Sequence, residues 1–465
     1  MKLSDAAKAM NGVLQGADAD FDWVSTDSRS LKPGELFFAI KGANFDGEAF
    51  VERASYAGAC AAVVTKHQND LSFPQIVVKN TIAALGELAN FRREKMAGKV
   101  VAITGSCGKT SVKGMLKHIL ELQGRTSATL GNQNNQIGVP LTILSAQEDV
   151  DFLIVEAGTS FKGEIEYLTS IIDPDVSVVT NVHSAHMEGF GTLEAIADEK
   201  SDIYVAGARA SNAIVNACLL QYDSFDRKLP ADGVFIFTKD EDGSHVRGSK
   251  IYAENIQSDS YGRASFGLCF RHENASISLQ VPGLHQIENA LAAAACAVSL
   301  ELTLDVIKHG LEAYFGEKSR MQVLDLGEIT MVDDTYNANP GSMHAAIDYL
   351  AEHKQSVLIL GDMAELGKDA EAEHKNVGSY ARQKGIQSLL CVGYFAEDYA
   401  DGFGAGATVF RSQAELVHYA LEHLPKNSTL LVKGSRSAHM EDICNALTSA
   451  VSSGTGYSEH NRGAR

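Results

Sequence analysis

Nowhere in the 465 residues is there a run of the roughly 18 apolar residues that a membrane-spanning helix needs, so no membrane span is expected. The N-terminal residues 1–8 lack the apolar core of a secretory signal. Seven cysteines are scattered without a CxxC pair. That spacing excludes a disulfide framework and a structural zinc site, and it points to buried, reduced thiols in the cytoplasm. Basic charge is also in short supply: 40 Lys and Arg stand against 59 Asp and Glu, for a net charge of −19. Such a chain lacks the basic surface that neutralises nucleic-acid phosphates, although a few local cations suffice for a small anionic substrate. Internal repeats and low-complexity tracts are missing as well. What remains is ordinary globular composition, 45% hydrophobic and 21% charged, long enough for two to four domains at roughly 100–200 residues each.

Three blocks emerge along the chain. The first, residues 1–95, enters a short apolar strand at Leu36 to Ile40 through a Pro33-Gly34 turn. A second turn at Phe45-Asp46-Gly47, a helix from Glu48 to Tyr56 and a strand at Ala61 to Val64 make a small α/β unit. The second block, 96–314, opens with the buried-strand pattern Lys99 to Thr104, a glycine loop, and a helix whose Val112, Met115, Leu116, Ile119 and Leu120 share one face. Apolar strands at Phe152 to Val155 and Val176 to Val179 predict a doubly wound parallel sheet. Polar–apolar alternation between Tyr252 and Val281 predicts an antiparallel segment at one edge, followed by an Ala-rich helix from Gln286 to Leu300. The third block, 315–452, alternates strands at Thr330 to Val332, Val357 to Leu360, Leu389 to Val392 and Leu430 to Val432 with helices, as a Rossmann-like sheet does. Residues 453–465 are polar and rich in Gly and Ser, and a disordered tail is expected there.

The segment Gly105-Ser106-Cys107-Gly108-Lys109-Thr110-Ser111 lies between a strand and a helix. Glycines there let backbone N–H groups converge on phosphate oxygens, and the helix N-terminus adds partial positive charge. Lys109 would reach the β- and γ-phosphates of ATP, and the Thr110 hydroxyl would ligate Mg²⁺. Only two residues separate Gly105 from Gly108, so this is a shortened form of the general phosphate loop. Glu156 stands at the C-terminal end of a strand, where open α/β sheets place ligands, and carboxylate oxygen suits Mg²⁺.

From here the sequence resembles the Mur ligase family over roughly residues 20–445. The matching stretches are Asp27-Ser28-Arg29, the phosphate loop, the segment from Asn132 to Leu141, Glu156-Ala157-Gly158, Thr180-Asn181-Val182, Ala185 to Gly191, His285 with Asn289-Ala290, Arg320-Met321-Gln322, Asp333 to Pro340, Leu360 to Gly367 and Val432 to Ser435. Within the family, Asn-Ala-Asn-Pro at 337–340 and the 361–367 element look most like the branch that adds D-Ala-D-Ala.

That resemblance implies three α/β domains: a small N-terminal UDP-binding domain, a central phosphate-loop ATPase domain and a C-terminal Rossmann-like domain. It implies an ADP-forming amide ligase of the cytoplasmic phase of peptidoglycan synthesis, serving cell shape and division. ATP would phosphorylate the terminal carboxylate of a UDP-N-acetylmuramoyl-tripeptide, and the amine of D-Ala-D-Ala would displace phosphate. Thr110 and Glu156 would share one Mg²⁺ with ATP, and His186 would hold a second. The residues alone do not separate His186 from His183; the family pattern favours His186. Read by itself, Lys200 is a helix-surface lysine paired with an acidic neighbour; the resemblance instead makes it a lysine carbamylated by CO₂, an anion suited to Mg²⁺. The position before it, often alanine in the family, is Glu199.

The same resemblance places Asn289, Arg320, Asp334, Tyr336 and Asn337 on ATP. It places Ser28, Arg29, Lys41, Asn44 and Asp46 on the UDP moiety, and Asn132, Asn134 and Asn135 on the peptide or the γ-phosphate. Asp362, Lys433 and Ser435 would hold the dipeptide or close the cleft. A monomer is expected, with closure of the third block on the second about a hinge near Ala313 to Lys318. The competing readings are a sibling ligase adding another amino acid, a folylpolyglutamate synthase-like relative, which would lack the N-terminal block, and a noncatalytic nucleotide-binding homologue.

Overall fold

A computed structural model describes residues 1–42, 45–183, 187–205, 207, 209, 211–239 and 248–452. Asn44, His186 and the expected tail 453–465 lie outside the described residues.

Among the described residues the chain builds three sheets in sequence order. The first comprises β1 (Val13–Gln15), β2 (Val24–Ser25), β3 (Leu36–Phe38), β4 (Ala61–Val64) and β5 (Gln75–Val77), ordered β1-β5-β4-β3-β2. Strands β2 to β5 run parallel and β1 is antiparallel to β5. The helix expected over Glu48 to Tyr56 begins as a 3-10 turn, Gly47–Phe50, and becomes α-helical at Val51–Tyr56. Asp46 causes this start, because its carboxylate accepts from the Glu48 N–H.

The central sheet contains β6 (Lys99–Thr104), β7 (Thr126–Ala128), β8 (Phe152–Glu156), β9 (Val176–Val179), β10 (Asn212–Asn216), β11 (Val234–Thr238), β12 (Ser249–Ser258), β13 (Arg263–Phe270) and β14 (Glu273–Pro282). Their order is β14-β13-β12-β11-β10-β9-β6-β8-β7. Pairing is parallel from β7 through β12 and antiparallel for β12, β13 and β14, the edge that the alternation anticipates. Strand β6 is apolar on both faces because both are covered. Val100 and Ala102 enter a core shared with the N-terminal unit, whereas Val101 and Ile103 pack with Val112, Met115, Leu116, Ile119 and Leu120 of the helix Lys109–Glu121.

The N-terminal unit is bolted to the central one by the helix Thr81–Glu94, which Asn80 caps. At its end, the fully buried Arg93 donates to the carbonyls of Ile172 and Asp173 and pairs with Asp175 at 2.8 Å. It thereby satisfies carbonyls at the C-terminus of the helix Glu164–Ile172, a cation at the negative end of a helix dipole.

The third sheet has β15 (Gln322–Asp325), β16 (Ile329–Asp334), β17 (Ser356–Leu360), β18 (Ser388–Val392), β19 (Ala407–Phe410) and β20 (Ser428–Lys433), ordered β15-β16-β20-β17-β18-β19. All pairs are parallel except β15 with β16. The Asn-Pro signal at 339–340 starts the helix Pro340–Ala351, with Asn339 and Ser342 forming a reciprocal capping box. Separate apolar clusters cover the two faces of this sheet.

Candidate active site

The carboxyl ends of the adjacent strands β9, β6 and β8 converge on one crevice, where the chain leaves β6 for a tight loop. Gly108 there has φ +79°, and Gly105 has φ +148°. A side chain at 108 would collide with the Asn289 carboxamide, and one at 105 with the Thr180 hydroxyl. Only glycine lets the loop approach this closely. Asn181, just past β9, braces the loop by accepting from the Cys107 N–H at 2.8 Å. Ser106 is held against the backbone of His183, donating to its carbonyl and accepting from its N–H.

The helix Lys109–Glu121 presents Lys109, Thr110 and Lys113 toward Glu156 at the end of β8. The Thr110 hydroxyl donates to Glu156 Oε2 at 3.0 Å, Lys113 Nζ lies 3.4 Å from the same oxygen, and Asn134 Nδ2 donates to Oε1 at 3.0 Å. Burial is the largest influence on Glu156 and acts to raise its pKa. Lys109, Lys113 and the Asn134 bond together outweigh it and hold the carboxyl below its ordinary value. Lys109 is pushed the other way, down, by loss of water, with Glu156 opposing; its Nζ bonds the Gly105 carbonyl at 2.6 Å. An ionised carboxylate and a hydroxyl 3.0 Å apart are hard oxygen donors of the kind Mg²⁺ takes, so Glu156 and Thr110 fit that ion.

Lys200 is not a surface residue. It is 2% exposed, and its pKa falls to about 7 because burial strips its water and Lys109 adds a like charge. Its neighbour Glu199, also buried, accepts from the N–H groups of Gly163 and Ile165 and from the Thr159 hydroxyl. The helix carrying Lys200 is thus tied to the loop that follows β8.

The third unit covers this crevice. Arg320 Nη2 donates to Thr110 Oγ1 at 2.9 Å while its guanidinium lies 3.9 Å from the Tyr336 ring centroid. Asn339 meets Cys107 Sγ across the same gap. The carboxyl ends of β16 and β20 add Asp334 and Lys433, paired at 2.5 Å, and Lys433 also donates to the Asn337 carbonyl. The cleft holds about 820 Å³. Into it the fold brings the loop from Ser106 to Ser111 together with Asn132, Asn134, Asn135, Glu156, Asn289, Arg320, Asp334, Tyr336, Asn337 and Lys433. His183, which the residues alone left as an alternative to His186, lines it as well.

Other expected site residues are elsewhere. Asp362 does not line the cleft: its carboxylate accepts from the N–H groups of Tyr394 and Phe395, bracing the turn after β18. Ser435 is buried, its hydroxyl bonded to that of Ser437. Ser28, Arg29, Lys41 and Asp46 follow the carboxyl ends of the neighbouring parallel strands β2 and β3 on the N-terminal sheet. Arg29 is held by Asp27 at 2.7 Å, and Lys41 lies 3.4 Å from Asp46. Lys113 escaped sequence reasoning altogether, although its spacing four residues beyond Lys109 puts both on one helix face. Asn181, Asn339 and Glu199 likewise received no role.

A glycine loop at the crevice of a parallel sheet, closed over by a further α/β domain that contributes an arginine, makes this a phosphate-binding α/β enzyme of three domains. Three family models match it consecutively: "Mur ligase family, catalytic domain" over residues 20–93, "Mur ligase middle domain" over 103–297, and "Mur ligase, glutamate ligase domain" over 319–436. The UDP-N-acetylmuramoyl-tripeptide–D-alanyl-D-alanine ligase of Escherichia coli K12 is 40% identical over 96% of this chain and 98% of its own length. The Bacillus subtilis ligase of the same name is 30% identical over 91% and 92%. A crystal structure of MurF from Acinetobacter baumannii superposes with TM-score 0.88 at 32% identity, covering 96% of this chain and 98% of that one. The chain belongs to the Mur ligase family.

Proposed function

We propose that the chain is the ATP-dependent ligase that joins D-Ala-D-Ala to the terminal carboxylate of UDP-N-acetylmuramoyl-tripeptide. The observation that carries the reading is the cleft itself: Lys109, Thr110 and Glu156 from one domain face Arg320, Asp334 and Tyr336 from another. Its likeness over nearly the full length to relatives named for that reaction supports the substrates.

A carboxylate is a poor electrophile because its charge is delocalised. Transfer of the γ-phosphoryl of ATP to one oxygen gives an acyl phosphate, whose carbon the dipeptide amine attacks, expelling phosphate. In this assignment the loop N–H groups and Lys109 cradle the phosphates, Arg320 offsets charge on the transferring group, and Tyr336 borders the base with Asn289, Asp334 and Asn337 around it. Thr110 and Glu156 hold Mg²⁺, which supplies Lewis-acid stabilisation of phosphate charge. Lys200, once carbamylated, provides a second anionic ligand, with His186 as its partner by family resemblance. Asn134 orients Glu156, and Lys113 offsets its charge. Ser28, Arg29, Lys41, Asn44 and Asp46 receive the UDP moiety on the N-terminal domain (1–95), and the domains 96–314 and 315–452 close on ATP. The protein works as a cytoplasmic monomer in cell-wall precursor synthesis.

Phosphate release from ATP, measured with each substrate omitted in turn, tests the reading. The expected result is release that requires both the UDP-tripeptide and D-Ala-D-Ala, with product mass increased by the dipeptide less water. Release independent of D-Ala-D-Ala refutes it.

A further inference from the structure

A second cavity, of about 260 Å³, opens beside the phosphate cleft. It shares Asn135, Gly158 and Glu164 with that cleft, so the two are continuous. Tyr167 and Leu168 give it an apolar wall, and Lys162 brings a cation to it. No hydrogen bond or ion pair among the described residues engages the Lys162 ammonium. Asp198, whose charge it feels, is already bonded to Lys228 at 2.9 Å. Glu164, by contrast, is fixed: its Oε2 accepts from the N–H groups of Ser160 and Phe161 at 2.6 and 2.9 Å. Cavity, cation and anion therefore stand on a braced loop, further secured by Glu199 through Gly163 and Ile165.

The ligase reading, on which this step rests, brings the α-carboxylate of the tripeptide's third residue up to the γ-phosphoryl group in the cleft that Asn135, Gly158 and Glu164 also line. The side chain of that residue must then leave the reacting carbon within a few ångströms, and the adjoining cavity is the space that receives it. The cavity's charges discriminate between side chains. A lysine side chain ends in an ammonium alone, which Glu164 can accept. A diaminopimelate side chain ends in an ammonium and a carboxylate, which match Glu164 and Lys162 together. We infer that this cavity is the side-chain subsite for the third residue of the peptide, and that Lys162 makes it selective for a zwitterionic diaminopimelate end over lysine.

The test uses the full-length protein, ATP, D-Ala-D-Ala and two UDP-tripeptides, one ending in diaminopimelate and one in lysine. Wild type, Lys162→Ala and Lys162→Glu are compared by phosphate release. Because Lys162 is exposed, a single charge-assisted contact there is expected to favour diaminopimelate by roughly 3- to 10-fold in kcat/KM. Lys162→Ala should bring the ratio to about one through KM, and Lys162→Glu should invert it. A merely structural lesion would lower both substrates together and leave the ratio alone. An unaltered ratio in both variants, or a wild-type preference for lysine, overturns the inference while the ligase reading stands. If neither tripeptide supports release dependent on D-Ala-D-Ala, the ligase reading falls and takes this subsite with it.

Discussion

Lys200 offers the sharpest test of the proposed chemistry. It is enclosed at 2% exposure with a pKa of about 7, set by burial first and by Lys109 second. An amine attacks CO₂ only when neutral. About half of the Lys200 side chains are neutral at pH 7, against about one tenth at pH 6 and about nine tenths at pH 8, whereas an ordinary lysine is neutral in well under one part in a hundred across this range. Loss of the ammonium proton leaves the neutral amine; its attack then forms an N–C bond and releases a second proton, so that a cation near Lys109 becomes an anion. Enzyme stripped of CO₂ should therefore lose activity and regain it with bicarbonate. The half-saturating bicarbonate concentration should rise steeply as pH falls below 7. Lys200→Ala should lower kcat by about 10²- to 10³-fold, the scale of losing one preorganised electrostatic group. Phosphate release across pH 6 to 8, with and without added bicarbonate, reads the effect, and ¹³C-bicarbonate NMR detects the carbamate directly. Activity indifferent to CO₂ at every pH, with Lys200→Ala near wild type, would refute the reasoning. The sign for folding follows from the same shift. A depressed lysine pKa means the unfolded chain binds the extra proton, so the penalty of burying Lys200 is complete below pH 7 and fades as pH rises toward 10.5.

Arg320→Ala should cut kcat by about 10²-fold or more with the fold intact, because the third domain then delivers no cation to Thr110; circular dichroism and steady-state kinetics check both halves. Gly108→Ala should weaken binding of an ATP analogue at least tenfold, since the left-handed backbone and the Asn289 carboxamide both oppose a methyl group there, and isothermal titration reads the Kd. Arg93→Ala should destabilise the protein by about 3 kcal/mol in urea unfolding, because the Ile172 and Asp173 carbonyls lose the guanidinium and Asp175 keeps only Lys99 and the Val100 N–H. Small-angle scattering with ATP analogue and UDP-tripeptide should show a more compact particle than the free protein; an unaltered radius of gyration would count against closure about the 313–318 segment.

Much of the site was legible because its signals are local. A strand, a glycine loop and a helix within residues 99–121 have the pattern expected of a phosphate site, and Glu156 at a strand end meets them in one cleft. The fold class followed from the same local periodicities, down to the antiparallel edge β12-β13-β14. Resemblance rather than local pattern singled out Lys200; read alone, it was a surface lysine, and only the three-dimensional packing shows it buried. Asp362 misled for the opposite reason. Its strand-end position suits a ligand contact, yet the backbone of Tyr394 and Phe395 had already claimed the carboxylate.

The sequence by itself thus determined the pieces that depend on neighbours along the chain: strand and helix periods and the glycines of the loop. Tertiary structure alone decided which pieces meet. It set Arg320 on Thr110 across 210 residues, placed Lys113 beside Glu156, buried Lys200 within reach of the Lys109 charge, and opened a charged side cavity next to the cleft. These pairings arise from the packing of whole layers, and no short-range rule of backbone or side-chain preference encodes a contact between residues so far apart.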